Sequence, residues 1–199
     1  CTHRAPHAWP RRDAQGRPAV EAKSQRPAVE SRQEVPPRGT HGHQTFATMT
    51  HQYFAEVTWK SDGSPFAKGV YSRAHRWRFD CGIEVDASAS PSVVPLPYSR
   101  EDAIDPEEAF VAAISSCHML TFLYLASKQG VDVVSYCDRA IGFMEASTIG
   151  RLAVTRVTLN PEIAYGGEVP AKDVIDRLHH AAHDECFIAN SVKTVIEVR

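Results

Sequence analysis

The 199-residue chain has no excess of charge of one sign: 22 Lys and Arg face 24 Asp and Glu, for a net charge of −2. That balance excludes the broad electrostatic attraction by which a protein gathers nucleic acid or an anionic membrane. The chain also lacks CxxC pairs and HExxH, the patterns of dedicated zinc sites, and it has no internal repeat. No secretory signal precedes its five cysteines, Cys1, Cys81, Cys117, Cys137 and Cys186, which are odd in number and irregular in spacing. A disulfide framework is therefore not expected, and reduced thiols in a cytoplasmic setting are. One stretch only, residues 109–127, runs without a formal charge for the width of a bilayer. It contains Ser115, Ser116, His118 and Thr121, and no second such run exists. A helix from a soluble core is the expectation.

What is present divides the chain in two. Residues 1–48 carry Pro6, Pro10, Pro18, Pro27, Pro36 and Pro37 among many arginines and glutamines, with almost no apolar periodicity. Such a segment cannot bury enough surface to offset its ordering entropy, so a disordered tail is expected. Patterned sequence begins at Met49, and residues 49–199 are predicted to form one domain.

Within that domain "YFAEVTWK" alternates Tyr53, Ala55, Val57 and Trp59 with Phe54, Glu56, Thr58 and Lys60, which predicts a half-buried strand. Asp62-Gly63 is turn chemistry. "YSRAHRWRFDCG" predicts a strand with Trp77 and Phe79 on one face and Arg76, Arg78 and Asp80 on the other. "DASASPSVVPLPYSREDAI" predicts a long loop. Asp105 is a good N-cap, Pro106 suits the first helical position, and Glu107 and Glu108 favour the positive end of the helix that follows, with Gly130 closing it. "VDVVSYCDRAIGFMEAS" and "RLAVTRVTLNPEIAY" predict two strands joined near Gly150. "PAKDVIDRLHHAAHDE" predicts a helix with Ile175, Leu178 and Ala182 inward, and "SVKTVIEV" a strand with Val192, Thr194, Ile196 and Val198 on one face. The order β-β-β-α-β-β-α-β is that of an α+β fold with largely antiparallel pairing.

Two thiols have a context that suggests chemistry. Cys117 lies in the middle of the long helix beside His118, and Cys186 lies at the end of the second. Adjacent helical side chains diverge by roughly 100°, which argues against His118 as a direct base for Cys117. His179, His183 and Cys186 share one helical face at i, i+4, i+7 and offer zinc ligands, with His118 as a fourth; a solvated histidine face is the plainer explanation. Cys81 and Cys137 fall on predicted strands and read as structural, and Cys1 belongs to the tail.

"DPEEAFVAAISSCHMLTFL" together with "AHDECFIANSVKTVIEV" resembles the OsmC/Ohr family of osmotically inducible and organic hydroperoxide resistance proteins. "HRWRFD", "SASPSVVPLP" and "SSCHML" point to its OsmC-like branch, and the likeness runs from His51 to Arg199. The resemblance implies an intertwined homodimer with sites at the interface, and a thiol-dependent peroxidase acting on organic hydroperoxides without metal or organic cofactor. By position, Cys117 is the attacking thiol and Cys186 the resolving one. Glu107 matches the glutamate that holds an activating arginine. Arg100 in "PYSRED" is the expected arginine, with Arg73, Arg76 and Arg78 as alternatives. A thiolate attacks the O–O bond, and a guanidinium both favours the thiolate and steadies the departing alkoxide. An external dithiol, lipoyl-type or other, then reduces the resulting disulfide. Phe110, Ile114, Phe122 and Phe187 would suit an apolar peroxide. Glu107 and Cys117 are ten residues apart, or about 15 Å along a straight helix, so the helix breaks, an arginine bridges, or a partner subunit contributes. The competing expectations are a non-enzymatic OsmC-like stress protein that binds apolar ligands, and a His/Cys metal-binding protein.

Overall fold

The computed structural model describes residues 50–199. The predicted tail, Cys1 and Met49 lie outside the described residues.

Three short strands, β1 (Ala55–Thr58), β2 (His75–Phe79) and β3 (Glu84–Ala87), pair antiparallel in the order β1-β2-β3. On β2 the predicted alternation holds: Trp77 and Phe79 are half-buried while Arg76 and Arg78 are exposed. On β1 it does not. All four residues are exposed on both faces, Val57 included, because among the described residues no layer packs over this strand. The loop after β3 is tied down by Ser88 N–H to the Ile104 carbonyl and Arg73 N–H to the Tyr98 carbonyl.

Helix α1 (Pro106–Lys128) starts as its sequence demands. The Asp105 carboxylate accepts from Glu108 N, and the Glu108 side chain accepts from Asp105 N, a reciprocal capping box with Pro106 in the first turn. Gly130 follows the C-cap at φ +72°, a left-handed conformation that suits glycine. Ile114, His118, Phe122 and Ala126, four residues apart, form the only buried stripe of α1. The helix is long and apolar enough to cross a membrane by length and composition, but here the stripe packs on protein: Phe122 and Ala126 against Leu178 and Ala182, and Ile114 against Val157 and Leu159.

The segment after α1 corrects the predicted order. Each of the two long strands is in fact two: β4 (Val133–Asp138) and β5 (Ile141–Ala146), then β6 (Leu152–Leu159) and β7 (Pro161–Tyr165). β4 pairs with β7 in a two-stranded sheet, while β5 pairs with β6 in another. The hairpin turn near Gly150 is present between β5 and β6. Both chains change sheet at the same place, and side chains lock that place. The Asp138 carboxylate accepts from Asn160 N, and Asn160 Nδ2 donates to the Arg139 carbonyl. At Gly142 on β5 a Cβ would stand 2.5 Å from the Val111 side chain, so the absence of a side chain lets the strand approach α1.

Helix α2 (Lys172–Glu185) buries Leu178 and Ala182 with Ile175 half-buried, as its periodicity predicts. Strand β8 (Val195–Val198) joins β6 in parallel, the exception to antiparallel pairing. Its predicted inward set, Val192, Thr194, Ile196 and Val198, is half-buried.

Candidate active site

Cys117 and Cys186, 69 residues apart in sequence, meet where the middle of α1 faces the C-terminal end of α2. Their sulfurs stand 2.8 Å apart as free thiols, within about 1 Å of a covalent disulfide length. The two sulfurs differ in setting. Cys186 is buried at 1% exposure, whereas Cys117 is only partly covered. Burial, and then the hydrogen bond to Cys117, push the Cys186 thiol above its ordinary range. Cys186 Sγ donates to Cys117 Sγ, and the Ile188 backbone N–H points at Cys117 Sγ from 3.5 Å. The pair is thus a covered, protonated thiol beside a more accessible one.

Cys117 opens into a cleft of about 800 Å³ lined by Ser116, Cys117, Leu120, Tyr124, Phe187 and Ile188, among others. Its walls are apolar and face outward: Leu120 is 61%, Tyr124 57% and Phe187 80% exposed. Of the apolar residues expected from sequence, Phe187 lines this cleft, whereas Ile114 and Phe122 are fully buried in the core. Among the described residues no arginine or lysine lines it, and Glu185 is its one formal charge.

The remaining predicted residues lie elsewhere in the chain. Glu107 is half-buried in the first turn of α1 and lines a separate cleft with Ser115, Ser116 and Asp138. Since α1 is continuous from Pro106 to Lys128, no helix break brings Glu107 to Cys117. Arg100 donates through Nε and Nη2 to the two carboxylate oxygens of Asp102, both at 2.9 Å, and also pairs with Asp86. Arg76 is held by Glu84 and Asp86. Arg73 is different: Nη1 donates to the carbonyls of Tyr71 and Gly69, and the guanidinium lies 3.7 Å over the Tyr71 ring. It lines a cleft with Trp59, His75 and Pro106, the residue before Glu107.

Behind the thiols lies a histidine pair. His118 Nε2 and His179 Nδ1 are 3.1 Å apart, with the rings stacked at 6°. The sequence offered His118 as a fourth zinc ligand beside His179, His183 and Cys186; in the fold it bonds His179, and among the described residues no group of three or more His, Cys, Asp or Glu is arranged to hold a metal ion. The backbone N–H groups of Ile188 and Ala189, which point at the two sulfurs, carried no sequence signal, since any residue but proline supplies one.

Fold and thiol geometry together define an α+β protein with a dithiol site. The chain belongs to the OsmC-like family: that family's sequence model, described as OsmC-like protein, matches residues 99–199. A structure of an OsmC-like protein of unknown function from Vibrio cholerae is 48% identical, with a TM-score of 0.73 over 75% of this chain and 99% of that one. The organic hydroperoxide resistance protein of Elizabethkingia anophelis shares 18% identity and a TM-score of 0.57 over 76% of this chain and 94% of that one. OhrB of Bacillus subtilis, an organic hydroperoxide resistance protein, shares 15% and 0.54 over 75% and 98%. At those identities the last two show the shared fold. No curated protein matches the chain.

Proposed function

We propose that this protein is a cysteine-based peroxidase that reduces organic hydroperoxides. The observation that carries the reading is the approach of Cys117 and Cys186, one sulfur accessible and hydrogen-bonded, the other buried and protonated. The Cys117 thiolate attacks the distal oxygen of ROOH, giving Cys117 sulfenic acid and an alkoxide that takes a proton to leave as ROH. The Cys186 thiol then condenses with the sulfenic acid, forming the disulfide and releasing water. An external dithiol, lipoyl-type or other, returns both cysteines to thiols and is itself oxidised. The apolar walls formed by Leu120, Tyr124 and Phe187 suit an apolar R group.

The element missing beside Cys117 among the described residues is a positive charge. We assign it to a second copy: the working unit is a homodimer in which Glu107 orients an arginine across the interface. Arg100, the arginine expected from sequence, is already matched by two carboxylates. Arg73 is held by carbonyls and an aromatic ring and lies near Pro106, so its charge is the more available.

Intact mass before and after one equivalent of cumene hydroperoxide tests the reading. Loss of two hydrogens, mapped to a Cys117–Cys186 linkage, is the expected result. Cys117→Ser should abolish the reaction, and Cys186→Ser should stop it at a sulfenic acid on Cys117. An unchanged mass with active hydroperoxide would sink the proposal and favour a ligand-binding role for the cleft.

A further inference from the structure

His118 is almost fully buried at 1% exposure, its Nδ1 has no partner among the described residues, and the proposed chemistry does not use it. It sits one residue from Cys117 on α1. Its partner His179 precedes Cys186 by seven residues on α2, nearly two full turns, so those two side chains share a face. Two contacts therefore join the same two helices: His118 to His179, and Cys117 to Cys186. They are adjacent on α1 and about 10 Å apart along α2. A single contact would leave α2 free to pivot; two fix its direction. The apolar contacts around them, Phe122 and Ala126 on Leu178 and Ala182, tolerate small sliding, whereas a hydrogen bond weakens steeply once its geometry is lost.

We infer that the His118–His179 hydrogen bond is a positioning device that holds Cys186 against Cys117, so that these histidines set how readily the two sulfurs join. One ring donates and the other accepts, which requires the accepting imidazole to be neutral. Burial, reinforced by His179 and His183, keeps His118 so, with its pKa pulled from 6.5 to about 4. His179 is also pulled down by burial, against the opposing pull of Asp176 on α2 and Asp138 on β4. Phe122, stacked 4.5 Å from the His179 ring, closes the far side. The device concerns the approach of two thiols, whatever oxidises them; it deepens the peroxidase reading and is measured without a peroxide.

The measurement is the effective concentration of the two thiols in glutathione buffers at neutral pH. There the protein dithiol and glutathione disulfide exchange to protein disulfide and two glutathione thiols. His179→Leu is expected to lower that value by about tenfold or more, and His179→Asn, whose amide reproduces the Nδ1 position, to restore it to within about threefold. A His179→Leu protein that is less stable yet keeps the wild-type value overturns the inference, as does an Asn variant that falls as far as Leu. Should His179→Leu fail to fold, ring-nitrogen NMR of the wild type decides. Two neutral rings sharing one proton at pH 6 support the bond, and two rings titrating independently near the ordinary 6.5 overturn it. Loss of peroxide turnover in a variant with an unchanged glutathione value would count against this inference and leave the peroxidase reading standing.

Discussion

At the scale of single residues, the site turns on which groups remain uncommitted. A guanidinium with two carboxylates around it carries little net field to a third group, because its charge is matched locally. Arg100 and Arg76 are of that kind, both drawing on Asp86. Arg73, on carbonyls and the Tyr71 ring, keeps its full charge for an incoming anion. Arg73→Ala is therefore expected to slow oxidation of Cys117 by cumene hydroperoxide by about 100-fold, the scale of losing one stabilising donor at a developing oxyanion. Arg100→Ala should slow it only a few-fold. Stopped-flow kinetics of thiol loss distinguishes them, and the opposite ranking would return the role to Arg100. The family likeness favoured Arg100 over Arg73; their partners in three dimensions favour the reverse.

Elements were legible where a local signal fixes them. Asp105, Pro106, Glu107 and Glu108 spell the start of α1, and the capping box forms as written. The i, i+4, i+7 face of His179, His183 and Cys186 foretold that α2 points these groups one way. The split of β4 from β5 was not legible, because "CDRAIG" holds no proline and its glycine comes after the break. The clue lay across the sheet in "LNPEI", where Asn160 and Pro161 mark the same switch point on the neighbouring strands. The parallel pairing of β8 with β6 was equally silent, since a half-buried face looks alike in either direction.

The packing of α1 on α2 also carries a pH signature. The unfolded chain protonates His118 near 6.5 and the folded one near 4. The unfolded state therefore binds more protons between those values, and folding stability rises with pH across that window. This contribution is fully present above about pH 6.5 and is lost as the pH falls toward 4, with an upper limit of roughly 3 kcal/mol. Urea unfolding midpoints from pH 7 to 4.5 should fall for the wild type, and His118→Gln should flatten that limb. An identical slope in both proteins would mean that other groups dominate acid unfolding.

At the scale of the whole molecule, a single chain looks incomplete. β1 is exposed on both faces, and α1 buries only one stripe of a surface that is apolar nearly all round. Leu120, Tyr124 and Phe187 form an apolar wall beside Cys117, a large exposed patch of the kind that marks an interface. Glu107 cannot reach Cys117 along an unbroken helix, and among the described residues no guanidinium lines the Cys117 cleft. A second copy laid over this wall would solve all of these at once. Leu120→Glu is accordingly expected to shift the protein from dimer to monomer in light scattering and to slow peroxide reduction at least tenfold. Glutathione disulfide should still close the Cys117–Cys186 bond, because both sulfurs belong to one subunit. Mixing makes the stricter test. When Cys117→Ser chains, inactive alone, and Arg73→Ala chains, about 100-fold slowed alone, are unfolded and refolded together, the mixed dimer contains one site with an intact cysteine from one chain and an intact arginine from the other. Recovered turnover places the arginine across the interface; a mixture no more active than its parents confines Arg73 to its own subunit.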